Sequence, residues 1–289
     1  MKCPSILSLG EVLWDIFPDG ERFGGSPANF ACHAAIQGAE VTMVSAVGTD
    51  ARGDEATRIL TDYDIDVSLL QTISDAPTGT VSVELDDDGK PTFTIHSGSA
   101  WDRLAWNDEL ASRITIADAV YFGTLGQRSE TSRATIHRAI EAASIAGIPR
   151  VLDINLRPPF FDSRMIRESI QFASILKLSD EELAEVCSAC DIGNVSQTEV
   201  ALRGLLQFGS LDMVVLTRGE DGAVLVTQDG SVTQNGVSTT VIDTVGAGDS
   251  FTAAFLIGEL RGEPHDQNLQ RSCEIAAATC AHSGAVPAT

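Results

Sequence analysis

The chain has 289 residues, 43% of them hydrophobic, which is enough for one large α/β core with a small appendage. Its 41 Asp and Glu residues outnumber its 19 Lys and Arg residues, giving a formal net charge of −22 that disfavours nucleic acids and anionic membranes as partners. No signal peptide and no membrane-spanning stretch is predicted, so we expect a cytoplasmic protein.

Short β-type runs alternate with helical stretches along the chain. The runs are predicted at residues 41–47, 119–122, 151–154, 213–216 and 237–241, and the helices at 27–37, 54–63, 130–146 and 198–206. This alternation favours a mainly parallel sheet with helices on both of its faces.

The first polar motif lies near the N-terminus. Ser26 and Pro27 are typical of the N-cap and first position of a helix, and they follow Gly24–Gly25 directly. Asn29 then falls in the first helical turn. Asp15 offers two acceptors and Asn29 both donors and acceptors, so the pair suits a polyol, although each residue alone fits an ordinary structural role.

One segment breaks the alternation of strands and helices. Residues 80–85 alternate with period two, residues 86–90 form an Asp/Gly turn, and residues 91–96 read as a second strand. With residues 12–17 and a strand near Phe23, this hairpin predicts a small separate sheet. His96 on the second strand is a candidate for sugar contact, with a solvated strand residue as the alternative.

The cysteines show one suggestive spacing. Cys187 and Cys190 are spaced like a redox or zinc pair, but no second pair and no histidine lies near them in the sequence. We therefore predict reduced packing residues for all six cysteines, namely Cys3, Cys32, Cys187, Cys190, Cys273 and Cys280.

The segment from Asp243 to Phe251 carries the clearest chemistry. Gly246–Asp249 is predicted as the first turn of an apolar helix, where free backbone N–H groups and the helix dipole attract an anion. A carboxylate at Asp249 repels a phosphate there, unless it takes a proton from a hydroxyl that attacks the phosphate. The motif indicates phosphoryl transfer to an alcohol, and helix capping by Asp249 is the structural alternative.

Together these segments resemble the ribokinase-like (PfkB) carbohydrate kinases, in particular the fructokinase branch. The resemblance extends from Gly10–Glu11 to Ser283–Ala285. Its most specific parts are residues 24–29, 47–53, 153–158, 177–183, 217–222 and 243–251.

The resemblance implies a single kinase domain over residues 1–289. Its fold would be a three-layer α/β core with a mainly parallel central sheet and a small β-sheet lid, formed by about residues 11–24 and 79–98. In this family such a lid covers the sugar and often forms the surface of a homodimer.

The resemblance also assigns the sugar site and the catalytic group. Asp15, Gly25 and Asn29 match the positions that hold the sugar, and Asp249 matches the catalytic base. Gly246, Ala247 and Gly248 match the anion hole. Arg157 fits a residue that faces phosphate or substrate, because its planar fork suits either, and a structural ion pair is the alternative.

The remaining matches concern ATP and metal ions. Glu182 matches a residue that organises Mg²⁺ through water, although Ser179 replaces the usual Asn of that element. Asp243 matches the region where relatives bind a monovalent cation such as K⁺. The ATP side matches at Thr217, Gly219 and Gly222, with Ala277 and Cys280 near the adenine.

Several functions are compatible with these motifs. The leading one is an ATP-dependent kinase for the terminal primary hydroxyl of fructose, and the alternative is another sugar such as 2-keto-3-deoxygluconate or ribose. Only Lys90 and Arg103 lie near the lid segment at residues 79–98, which favours a neutral sugar over a sugar acid. A non-catalytic sugar-binding protein is less consistent with the intact Asp249, and a dinucleotide-binding dehydrogenase lacks its glycine fingerprint after the first strand.

Overall fold

The structure is a computed structural model that describes residues 3–85, 91–193 and 195–287. In these residues the strands are β1 (Ser5–Leu9), β2 (Leu13–Phe17), β3 (Gly20–Gly24), β4 (Glu40–Gly48), β5 (Leu70–Ile73), β6 (Gly79–Leu85), β7 (Pro91–Ile95), β8 (Ala119–Gly123), β9 (Arg150–Asp153), β10 (Ile175–Ser179), β11 (Met213–Thr217), β12 (Ala223–Thr227) and β13 (Ser231–Gln234). The α-helices are α1 (Ser26–Ile36), α2 (Ala51–Asp62), α3 (Asp108–Ile114), α4 (Glu130–Ile145), α5 (Ser163–Phe172), α6 (Asp180–Ala189), α7 (Thr198–Gly209), α8 (Ala247–Arg261) and α9 (His265–Cys280).

A large sheet forms the centre of the molecule, with the strand order β13-β12-β11-β10-β9-β8-β1-β4-β5 in the described part of the chain. The pairs from β5 across to β11 are parallel, and β12 and β13 add an antiparallel edge. The parallel strands are buried on both faces, as helices on both sides of a sheet require.

Two hydrophobic clusters lie on opposite faces of this sheet. Successive residues of β1 alternate between them, since Ile6 belongs to one cluster and Leu7 to the other. Helices α1, α2, α8 and α9 cover the Ile6 face, and α3 to α7 cover the Leu7 face. The predicted three-layer α/β core with a mainly parallel sheet is confirmed.

A second sheet has the order β3-β2-β6-β7 within the described residues. The predicted hairpin is present as β6 and β7, paired antiparallel, and β6 runs parallel to β2. The predicted turn at residues 86–90 lies outside the described residues. We refer to β2, β3, β6 and β7 as the small sheet.

The predicted strand at residues 237–241 is wrong. Pairing ends with β13 at Gln234, and the following residues are irregular up to α8. A Cβ at Gly236 would lie 1.8 Å from the carbonyl oxygen of Glu220, so the chain here packs against the connection between β11 and β12. Val237 and Val241 are 38% and 60% exposed, so this segment has no buried sheet face.

The parallel topology gathers polar residues at one edge of the large sheet. Glu11 follows β1, Asp153 ends β9, Lys177 and Ser179 lie at the end of β10, and Thr217 ends β11. The carboxyl ends of parallel strands are where ligands bind in such sheets. No helix in the described ranges is both long and apolar enough to cross a membrane.

Candidate active site

The candidate active site is built where the first turns of α1 and α8 meet. Asp249, in the first turn of α8, is buried with 9% of its surface exposed. Its Oδ1 accepts a hydrogen bond of 2.6 Å from Ser26 Oγ, and its Oδ2 accepts one of 2.9 Å from Asn29 Nδ2. Both donors come from α1, so the two helices hold this carboxylate in one orientation.

Ser26 has a different role from the predicted one. The helix N-cap is Gly25, with a φ of 104°, and Ser26 is already the first helical residue. Its hydroxyl therefore points away from the helix N–H groups, to Asp249 and to the Tyr121 hydroxyl at 3.0 Å. A Cβ at position 25 would lie 2.5 Å from the Glu11 carbonyl oxygen, so the close approach of α1 to this segment requires glycine.

Two buried acceptors beside Asp249 have no hydrogen-bond partner. They are Asn29 Oδ1 and Glu11 Oε2, and the two residues are 5% and 3% exposed. Burial raises the pKa of the Glu11 carboxyl to about 7, although Arg157 and Arg128 act in the opposite direction. Buried acceptors without partners are costly, and a polyol hydroxyl can satisfy them. Glu11 is absent from the sequence-based set of site residues.

The other predicted sugar ligands are Asp15 and Arg157, and Arg157 is close enough to influence the pKa of both Glu11 and Asp15. Asp15 is half-buried on β2, and burial raises its pKa to about 6, while Arg157 and Arg22 oppose that shift. Arg157 is exposed, with its Nη1 donating to the Leu156 carbonyl oxygen. The structural ion pair considered for Arg157 has no counterpart among the described salt bridges.

Of the two cations predicted near the lid, Lys90 lies outside the described residues. Arg103 forms an ion pair of 2.6 Å with Asp75 at the surface, so its charge is already balanced there. Arg128 instead ends the 3-10 helix at residues 125–127, pairs with Asp102 and donates to the His96 carbonyl oxygen at 2.6 Å. Its Nη1 is buried without a partner. The His96 side chain is exposed and contacts Ser82 Oγ across the hairpin.

A cavity of about 870 Å³ opens on the other side of Gly248. All five residues predicted for ATP contribute to its lining: Thr217, Gly219, Gly222, Ala277 and Cys280. Ala247 and Gly248 line it as well, so the start of α8 separates this cavity from Asn29 and Glu11. A Cβ at Gly222, where φ is 88°, would lie 2.1 Å from the Gln234 carbonyl oxygen, so this glycine is required for chain packing.

The two predicted metal positions are engaged in hydrogen bonds. Glu182 Oε1 accepts from the Leu156 N–H, and its Oε2 accepts from the Ser179 N–H and hydroxyl, so Ser179 forms a capping box with Glu182 at the start of α6. Asp243 accepts from the N–H groups of Val245 and Gly284. Within the described residues no cluster of three His, Cys, Asp or Glu side chains forms a ready metal site.

The Cys187 and Cys190 spacing carries no visible chemistry. Both side chains are buried in the core as free thiols, and burial raises the pKa of each. These cysteines pack as predicted.

Sequence reasoning missed a buried ion pair beside the anion hole. Lys177 Nζ lies 3.1 Å from Asp153 Oδ1, and the two side chains are 10% and 1% exposed. The signal was present, because a charged side chain inside an apolar strand such as Ile175–Ser179 needs a partner or a ligand.

Solved structures share this architecture. The chain superimposes on a fructokinase with bound ATP from Xylella fastidiosa with a TM-score of 0.87 at 20% identity, covering 98% of this chain and 95% of that one. A putative ribokinase II from E. coli in complex with ATP and Mg²⁺ gives a TM-score of 0.86 at 18% identity, covering 98% and 94%. The protein therefore has the ribokinase-like α/β fold.

Sequence relatives define the family. Residues 18–289 match the model of the pfkB family of carbohydrate kinases, and the chain belongs to that family. It is 27% identical to a fructokinase of Salmonella typhimurium over 94% of this chain and 90% of the relative. It is 29% identical to a probable fructokinase-2 of Arabidopsis thaliana over 98% and 92%. The protein is thus a sugar kinase, a phosphotransferase with an alcohol acceptor.

A pH-dependent stability difference tests the burial of Glu11. A carboxyl whose pKa rises to about 7 on folding stabilises the protein fully below its ordinary pKa of 4.5, and this contribution is lost as the pH rises through 7. Glu11→Gln should therefore raise Tm relative to wild type by a few degrees more at pH 8 than at pH 5. Thermal unfolding at both pH values measures this, with exposed Glu84→Gln as control. An equal Tm difference at both pH values would contradict it.

Proposed function

We propose that the protein transfers the γ-phosphate of ATP to the primary hydroxyl of a ketose, converting fructose to fructose 6-phosphate. The observation that carries the proposal is the position of Asp249 between the unpartnered acceptors Asn29 Oδ1 and Glu11 Oε2 and the cavity behind Gly248. A base at that boundary reaches a sugar on one side and a phosphate on the other.

The transfer follows from this arrangement. The sugar hydroxyl gives its proton to Asp249 while its oxygen forms a bond to the γ-phosphorus. The bond from that phosphorus to the bridging oxygen breaks, and ADP leaves with the electron pair. The Ala247 N–H donates to the Thr244 carbonyl oxygen at 3.3 Å, so the N–H of Gly248 is the one that would face the charge that develops on the phosphoryl oxygens.

Mg²⁺ fits this site as an ion that would bind together with the nucleotide phosphates. Mg²⁺ usually keeps several waters and binds through substrate phosphates and one or two carboxylates, so the lack of a three-residue cluster in the described chain is no obstacle. Glu182 would hold a water of the ion through Oε1, which accepts one hydrogen bond, whereas Oε2 already accepts two from Ser179. The bound ion would neutralise charge on the phosphates.

The choice of fructose rests on the relatives named fructokinase at 27–29% identity. A sugar acid such as 2-keto-3-deoxygluconate is the competing substrate, because Arg128 Nη1 and the exposed Arg157 offer cations to a carboxylate. A coupled assay with Mg·ATP across fructose, ribose, glucose and 2-keto-3-deoxygluconate separates these possibilities. The highest kcat/KM should be obtained with fructose.

Replacing the base tests the chemistry directly. Asp249→Asn should keep the fold and nucleotide binding, because Asn29 can turn its free Oδ1 towards the new amide. Turnover should fall by about 10²–10⁴-fold, since no other group at this position takes the hydroxyl proton. The exposed Asp229→Asn variant is the control. Turnover within twofold of wild type would remove Asp249 from the mechanism.

Replacing Asp15 tests the sugar side. Asp15→Ala should raise KM for the sugar about 10²-fold and leave KM for ATP nearly unchanged, because a lost acceptor affects only the ligand it bonds. Asp19→Ala, an exposed carboxylate of the same small sheet, is the matched control. Titration calorimetry with the sugar and with a non-hydrolysable ATP analogue measures both affinities. Equal weakening of both would mean that Asp15 supports the fold rather than the substrate.

The assembly and conditions of the enzyme are part of the proposal. Phe93, 53% exposed on β7, supports pairing of two copies through the small sheet, and Phe93→Glu should shift a dimer to monomer in analytical ultracentrifugation.

The six free cysteines agree with a reducing compartment such as the cytoplasm. Activity in K⁺ compared with Na⁺ tests a monovalent cation at Asp243.

A further inference from the structure

The nucleotide cavity is poor in positive charge. Its lining includes four carboxylate residues, Asp180, Glu181, Glu220 and Asp221. Among the described residues that line it, Lys177 is the single cation. A polyphosphate bound in this cavity would therefore find one side-chain ammonium to offset the repulsion of four carboxylate residues.

Lys177 lies against the anion hole itself. Its Nζ would stand 3.1 Å from a Cβ built on Gly248, which means that the ammonium borders the backbone of the first turn of α8. Burial works against the ammonium, but Asp153, Glu182 and Asp249 together raise the pKa of Lys177 above its usual value. The Lys177 side chain is thus positively charged although only 10% of it is exposed to solvent.

Asp153 fixes the position of this ammonium. Its Oδ1 accepts from Lys177 Nζ at 3.1 Å, and its Oδ2 lies 3.1 Å from the Thr252 hydroxyl. The same hydroxyl lies 2.9 Å from the Gly248 carbonyl oxygen. Lys177 on β10 is therefore connected through Asp153 on β9 to the helix whose N-terminus forms the anion hole.

We propose that Lys177 Nζ is a ligand of the phosphoryl group in transfer, and that Asp153 is the residue that positions it. The proposal rests on the proposed phosphotransfer at Asp249. Lys177 has three donors and Asp153 takes one of them, which leaves two for phosphoryl oxygens beside the N–H groups of α8. The ammonium meets the negative charge on these oxygens during transfer, while the new and the breaking bonds to phosphorus are those described above.

The main variant removes the charge and keeps the length. Lys177→Met should lower kcat about 10²–10³-fold, as loss of one preorganised donor at a developing charge does. The affinity for a non-hydrolysable ATP analogue should fall at least about tenfold, whereas ADP affinity should change less than about threefold, because only the triphosphate reaches the ammonium. Calorimetric titration measures both. Arg164→Met, which removes a 78% exposed cation, is the control.

A structural ion pair would produce the same loss of activity by a different route, and a double variant separates the two. Lys177→Met leaves Asp153 as an unpaired buried charge, while Asp153→Asn combined with Lys177→Met removes both charges and keeps an acceptor for Thr252. The double variant should recover the wild-type Tm and still show the reduced kcat. Recovery of kcat to within about threefold together with Tm would overturn the proposal.

The outcomes also distinguish this proposal from the proposed function. If no sugar in the panel is phosphorylated, the proposed function fails, and the titrations of Lys177→Met with the ATP analogue and ADP still decide the phosphate contact. Equal weakening of both nucleotides, or no weakening of either, would overturn the assignment of Lys177. Lys177→Arg should keep the preference for the triphosphate over ADP, because it retains the positive charge.

Discussion

The two hydrogen bonds that Asp249 accepts from α1 are the constraint around which the site is arranged. Ser26 and Asn29 use the first turn of one helix to orient a carboxylate in the first turn of another. The N-terminus of α8 lines the large cavity, where we propose that the nucleotide binds, and the first turn of α1 lies on the proposed sugar side. Gly25 makes this meeting possible, because any side chain there would strike the Glu11 backbone.

Charge is the second constraint, because under the proposed function a chain with a formal net charge of −22 binds ATP. The positive potential that binding requires comes from a few groups close to the site. Backbone N–H groups at the start of α8 supply positive potential without a side chain, and Lys177 adds one full charge next to them. Since a buried ammonium is costly, Asp153 partners it, and Thr252 orients Asp153.

Periodicity was sufficient to predict the mainly parallel sheet with helices on both faces and the hairpin of the small sheet, whereas the grouping of the ATP-cavity residues came from the resemblance to the family. The strand at residues 237–241 failed because β-branched residues favour a strand only where a sheet buries them, and Val237 and Val241 are 38% and 60% exposed. Ser26 was misread because an N-cap serine and a serine at the next position look alike in sequence. Glu11 and Arg128 were missed because their unpartnered atoms exist only once distant segments pack around them.

These unpartnered atoms also indicate how the enzyme would choose its sugar. Glu11 Oε2 and Asn29 Oδ1 are buried without donors, so folding costs the desolvation free energy of these two acceptors. A bound hydroxyl that donates to them offsets this cost. An analogue without that hydroxyl leaves the acceptor orphaned, and such sites discriminate far better than apolar pockets do. Because burial raises the pKa of Glu11 to about 7, this group is partly protonated near neutral pH and can donate as well as accept. Selectivity for a sugar bound here as proposed would therefore depend on the pattern of hydroxyl groups rather than on the size of the sugar.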